Sequence, residues 1–264
     1  MSLGTDDTAF IVFDIESIPD GELLKAVNYA DEALTAEQAI DKARDEARAA
    51  SKTGSDFIPY SFQTPIALCV VKVARNLQLR GITCLDAPLY RPREIVKTFW
   101  DRISVYTNNG ARLVTFNGRR FDIPLLELCA FRYGLAAGDH FANRRDRYKT
   151  PDIDIYDLLG NKGATAVTGG LSLLAKMIGK PGKMGFSGEK VYDAYREGKL
   201  REINDYCVCD VLDTYFVFLR MQVIQGMITN ETEAELNRQA REYLVSKADE
   251  FPVLTSYLSR WTEM

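Results

Sequence analysis

The chain has 264 residues, 46% hydrophobic and 27% charged, with a formal net charge of −4. That length supplies a full hydrophobic core, and the composition excludes a disordered chain. The negative balance excludes a protein that coats nucleic acid through excess Lys and Arg, but not an enzyme that reaches phosphate through a carboxylate-held cation.

In chain order, Thr8 to Phe13 is β-branched and aromatic and reads as a buried strand ending at Asp14-Ile15-Glu16, with acidic residues at its C-terminal end. From Asp20 to about Lys52, Ala, Glu, Asp, Lys and Arg dominate, which predicts a helical surface insertion, a solvated excursion without function. Ile66 to Ala74 and Leu79 to Leu85, parted by Arg75-Asn76, predict an antiparallel hairpin that makes a meander with the first strand. Apolar residues at helical spacing predict a helix from Arg93 to Tyr106. Arg112 to Phe116 reads as a short strand closed by Asn117-Gly118. A second helix is expected over Asp122 to Tyr133, a short strand or extended segment over Ile153 to Leu158, a third helix over Leu171 to Ile178, and helix from Leu200 onward. This order predicts an α/β fold, a mixed sheet with helices on both faces. A single domain over 1–264 is expected, with the insertion at about 20–61 and a C-terminal helical extension at about 231–261 that packs on the core.

Three segments carry chemistry. Residues two apart on a strand share a face, so Asp14 and Glu16 present adjacent carboxylates, which repel unless a cation lies between them. Such oxygen donors suit magnesium or manganese, although a strand-end pair facing water reads the same way. In Thr115-Phe116-Asn117-Gly118-Arg119-Arg120-Phe121-Asp122 a strand ends, turns and enters a helix near Asp122, where the ordinary role of Asp is an N-cap. In Tyr206-Cys207-Val208-Cys209-Asp210, Tyr206 and Asp210 stand four apart and share one helix face. There Tyr206 can hydrogen-bond an attacking water while Asp210 holds a metal; a half-buried Tyr beside a solvated Asp is the plainer reading.

In order and placement these segments resemble the DEDD superfamily of 3′–5′ exonucleases, on a ribonuclease H-like fold, in its tyrosine-bearing branch. They look most similar to predicted exonucleases related to the exonuclease domain of family B DNA polymerases, over Phe10 to about Leu219. The resemblance implies a five-stranded mixed sheet, an antiparallel three-strand meander plus parallel strands. It assigns catalysis to Asp14 and Glu16 in FDIES, Asp122 in NGRRFD, and Tyr206 and Asp210 in YCVCD. The four carboxylates would hold two Mg2+ or Mn2+ ions, Tyr206 would orient the water, and Asn117 and Phe121 would help to set the substrate end. The histidine branch is excluded: Asp205 stands where its His would be, and the sole His140 is followed five residues later by Arg145. The helical insertion and the absence of a polymerase domain depart from the polymerase pattern, so proofreading for an attached polymerase is not implied.

The partner implied is a nucleic acid with a free 3′ end, single-stranded DNA foremost. RNA ends or short oligonucleotides, and a catalytically inactive nucleic-acid-binding protein on the same fold, are the alternatives. Some of Arg119, Arg120, Arg144, Arg145, Arg147 and Lys149, with Lys180, Lys183 and Ser187 in Gly179–Gly188, are expected to meet substrate, most of the charges being plain solvated surface, and Phe121 and Phe186 are the flanking aromatics for stacking. Asp154 and Asp157 are expected to be structural, with support of the site from behind as the alternative. No apolar run approaches the roughly 18 residues of a membrane span and MSLGTDD lacks signal-peptide blocks, so a cytoplasmic location is expected. Cys69, Cys84, Cys129, Cys207 and Cys209 form no CxxC pair and are expected to be buried, reduced thiols; nothing points to a particular oligomer.

Overall fold

The computed structural model describes residues 7–262 apart from 147, 186 and 187. Arg147, Phe186 and Ser187, expected above at the substrate, lie outside the described residues.

Strand β1 (Thr8–Pro19) pairs antiparallel with β2 (Gln63–Ala74), which pairs antiparallel with β3 (Leu79–Cys84). On the other side β4 (Arg112–Thr115) and then β5 (Ile153–Asp154) add in parallel, giving the order β3-β2-β1-β4-β5. This is the mixed α/β sheet of a ribonuclease H-like fold. Helices α1 (Gly21–Asn28) and α2 (Ala36–Ala50) lie between β1 and β2, α3 (Pro92–Asn108) precedes β4, and α4 (Asp122–Tyr133) and α5 (Gly138–Asn143) precede β5. After β5 come α6 (Ile155–Leu159), α7 (Gly170–Met177), α8 (Val191–Arg196), α9 (Leu200–Ile224), α10 (Asn230–Ser246) and α11 (Val253–Ser259).

The alternation of β1 explains the layering. Ile11, Phe13 and Ile15 enter a core with Leu68, Val70 and residues of α3 and α4, while Val12 and Ile18 enter the larger core built around α9. Phe10 stacks on Phe218 of α9 at 5.0 Å. With both faces covered, β1 reads as a continuous apolar run rather than as an alternation, until Asp14 and Glu16 interrupt it on the α9 side.

Two expectations are corrected. Strand β1 does not end at the acidic pair: its ladder with β2 continues to Pro19↔Gln63, through an irregularity between Glu16 and Ser17. Its parallel pairing with β4, however, covers only Phe10 to Val12, so the acidic residues lie just past the point where the parallel half of the sheet stops. Second, Ile153 to Leu158 is extended only at Ile153–Asp154. The Asp154 carboxylate accepts the backbone N–H of Asp157 at 3.3 Å, and this cap starts α6 at once.

The insertion is helical as expected, but it is fastened to the body. Thr35 and Gln38 form a capping box at the start of α2, and α2 buries Ala39 and Ile40. Gly21 lets α1 approach α2, since a Cβ there would lie 2.3 Å from the Ala36 carbonyl oxygen. Arg44 pairs with Asp56 at 2.9 Å and with Asp193 of α8 at 3.4 Å. The solvated excursion is therefore corrected to a packed layer, because the Ala-rich stripe allows close approach. All five cysteines are free, and among the described residues no helix is long and apolar enough to cross a membrane.

Candidate active site

The first two motif residues leave β1 on the face covered by α9. Oxygens of Asp14, Glu16 and Asp210 all lie within 4.8 Å of one another. Helix α9 is seated against β1 by direct contact: the Cys207 thiol donates to the Asp14 carbonyl oxygen at 3.3 Å. One turn of α9 separates Tyr206 from Asp210, and the Tyr206 hydroxyl hydrogen-bonds the Asp210 carboxylate.

Asp122 comes from the end of β4 and stands outside that trio, near enough for its charge to act on Asp14 and Glu16. The chain turns there through Asn117, at a φ of 66°, and Gly118, where a Cβ would sit 2.5 Å from the side chain of Thr115. Asp154 at the end of β5 fixes this turn, with its carboxylate accepting the backbone N–H groups of Asn117 and Arg119, each at 2.9 Å. Asp122 is the first residue of α4 and is buried, and the N-cap place falls to Phe121, which makes no side-chain cap bond. The ordinary N-cap reading of Asp122 is thus not what the fold uses.

The electrostatics are those of crowded acids. Burial first, then the charges of Asp122 and Asp210, hold the Asp14 carboxyl well above its ordinary value of 3.8. Glu16 is raised in the same way by burial and by Asp14, Asp210 and Asp122, with Lys183 working against the rise. Burial pushes Asp122 up to about 7, with the charge of Asp154 adding to it. Asp210 rises to about 6 through burial, opposed by the Tyr206 hydroxyl and Lys183. Burial and the charge of Asp210 push Tyr206 far above its ordinary value of 10.0, so it stays a protonated donor.

Beside the acids runs a groove of about 860 Å³ whose lining includes Glu16, Asn117, Arg120, Phe121 and Lys183. Of the expected substrate contacts, Asn117, Phe121 and Lys183 therefore lie at the groove. Lys180 does not. Its ammonium lies 3.9 Å from the ring centre of Trp261 and 4.9 Å from that of Phe216, and burial lowers its pKa to about 8. Pro181 and Gly182, the latter at a φ of 60°, turn the chain between Lys180 and the exposed Lys183, which corrects the expectation that both reach substrate. Thr262 donates its backbone N–H to the Gly179 carbonyl at 2.9 Å, so the C-terminal end grips the start of the same loop.

Most of the expected basic contacts are used internally. Arg119 reaches Asp157 at 3.2 Å and the Asp152 carbonyl at 2.8 Å. Arg144 binds Asp152 and the carbonyls of Thr107 and Ala111, and Arg145 pairs with Glu127 at 2.9 Å. Lys149 lies 4.0 Å from Asp146. Arg120 is exposed and lines the groove. Sequence reasoning missed Phe57, another groove residue, because its segment has no motif. It also left the supporting role of Asp154 open, although the placement of DIDIYDL at a strand end was a usable signal.

A ribonuclease H-like sheet with an acidic cluster beside its central strand defines a nuclease-type domain. The family model for predicted 3′-5′ exonucleases related to the exonuclease domain of PolB matches residues 55–261, and the chain belongs to that family. The matched span contains Asp122, Tyr206 and Asp210 and runs through α10 and α11, beyond the Leu219 at which the sequence resemblance stopped; Asp14 and Glu16 precede it. No curated protein matches the chain.

Proposed function

We propose that the protein removes nucleotides stepwise from the free 3′ end of single-stranded DNA by phosphodiester hydrolysis, with Asp14, Glu16, Asp122, Tyr206 and Asp210 as its catalytic residues. The observation that carries this reading is the convergence of Asp14, Glu16 and Asp210, from elements almost 200 residues apart in sequence, to within 4.8 Å of one another. The donor set fits a hard divalent cation: three carboxylates whose mutual repulsion and burial a cation would relieve. Bound there, two Mg2+ or Mn2+ ions would supply an activated water and stabilise the leaving 3′ oxygen.

The remaining roles belong to the chain. With cations bound, Asp14, Glu16 and Asp210 would hold the one that activates water, and Asp14 and Asp122 the one that stabilises the leaving oxygen. Tyr206 stays protonated and orients the water, with its hydroxyl aligned by Asp210. Lys183 and Arg120 meet phosphates, and Asn117 and Phe121 seat the terminal nucleotide. A cytoplasmic location and a single-domain organisation belong to the same proposal.

The test is digestion of 3′-labelled and 5′-labelled single-stranded DNA and RNA with Mn2+ or Mg2+, beside D14A. Metal-dependent stepwise loss from the 3′ end, abolished by D14A, is expected, with DNA cut faster than RNA. Faster loss of RNA would make the enzyme an exoribonuclease. Binding without cleavage of either would make the protein an inactive nucleic-acid-binding domain.

A further inference from the structure

The groove beside Glu16 has a second wall, and its most exposed aromatic residue belongs to none of the three motifs. Phe57 sits in the segment that leads from α2 to β2, with 58% of its surface exposed, and its ring centre lies 5.8 Å from that of Phe121 at an interplanar angle of 53°. Its neighbours in sequence are held firmly. Asp56 is gripped by Arg44 and Arg48, each at 2.9 Å, and the Ile58 carbonyl accepts from Gln63 at 2.6 Å. Ile58 is itself buried, so the backbone on either side of Phe57 is anchored while the ring is presented to the groove.

We infer that Phe57 is a base-stacking residue of the substrate groove, forming with Phe121 an aromatic platform for unpaired bases next to the bond that is cut. This rests on the nuclease reading above and adds to it a residue and a substrate form. An aromatic ring stacks on any base, so the platform selects for unpaired bases rather than for sequence. Lys183 and Arg120 on the same groove supply charge for the phosphates between stacked bases. At about 860 Å³ the groove has the volume of a sizeable ligand site, and its wall is made by the insertion.

The experiment compares wild type, F57A, F57L and F57W on a single-stranded oligodeoxynucleotide and on bis(p-nitrophenyl) phosphate, a phosphodiester without bases. The expected result is a KM for the oligonucleotide about 5- to 150-fold higher in F57A and F57L, the range for removal of one base–aromatic stack, with recovery in F57W. The rate on bis(p-nitrophenyl) phosphate should stay the same in all four proteins, which separates stacking from damage to the fold. An F57A or F57L protein with wild-type KM for the oligonucleotide overturns the inference and leaves the nuclease reading intact. Failure of wild type to cleave or bind the oligonucleotide overturns both.

Discussion

The carboxylate of Asp154 receives the backbone N–H of Asn117 at 2.9 Å, across the junction between β5 and the turn that follows β4. That bond, with its twin to Arg119, sets the left-handed residue that aims Asp122 at the other acids. Removal of Asp154 should act on catalysis without touching a cation ligand. D154N is expected to lower kcat/KM by about 10- to 100-fold, the usual cost of losing a residue that orients a metal-binding side chain. A variant with wild-type kcat/KM on single-stranded DNA would show that the turn holds its shape unaided.

The acids destabilise the metal-free fold, and the sign follows from their direction of shift. Asp122 and Asp210 rise to about 7 and about 6 from 3.8, so between about pH 4 and 7 the folded state binds more protons than the unfolded state. Metal-free stability should therefore be fully present below about pH 4 as far as these groups are concerned, and should fall as pH rises towards 7. Thermal melts in chelator are expected to show Tm declining over this window, with Mn2+ restoring it at pH 8. A metal-free Tm that climbs steadily from pH 5 to 8 contradicts the burial of these carboxylates.

For the same reason, D210N should melt higher than wild type at pH 8 without metal, while losing activity. The gain is expected to be on the order of 2–4 °C for each kcal/mol of repulsion removed. Activity should drop by roughly 100-fold or more. Retained activity with a higher Tm would place Asp210 outside the chemistry.

Tyr206 should act as a donor and not as a base, since it is held far above its ordinary pKa. Y206F is expected to reduce kcat by about 10²–10³-fold, the scale for one lost oriented hydrogen bond, and to move the acid limb of the pH–rate profile upward, because the Tyr206 hydroxyl holds the Asp210 carboxyl down. That limb belongs to the carboxylates, which must be ionised to hold cations, and it should move to lower pH as the metal concentration rises. A wild-type kcat in Y206F would remove the tyrosine from the chemistry.

Much of this site was legible in the sequence because its residues lie at element boundaries with strong local signals. Asp122 opens a helix whose limits, Asp122–Tyr133, the apolar spacing predicts to the residue, and Tyr206 and Asp210 share a helix face by spacing alone. The end of β1 was not legible, since whether a strand continues past Asp14 depends on its ladder with β2, some fifty residues away. Lys180 and Lys183 look alike in sequence, and only the packing of Trp261 from the C-terminal end separates a buried ammonium from an exposed one. The insertion reads as solvated helix because its apolar residues are mostly alanines. Its attachment runs through ion pairs such as Arg44 to Asp193, which composition does not reveal.

The contact between β1 and α9 also bears on how the protein is made. Asp14 and Glu16 are translated almost 200 residues before Asp210. At roughly 5–20 residues per second the carboxylate cluster stays incomplete for about 10–40 s. During that interval the growing chain carries no assembled carboxylate cluster.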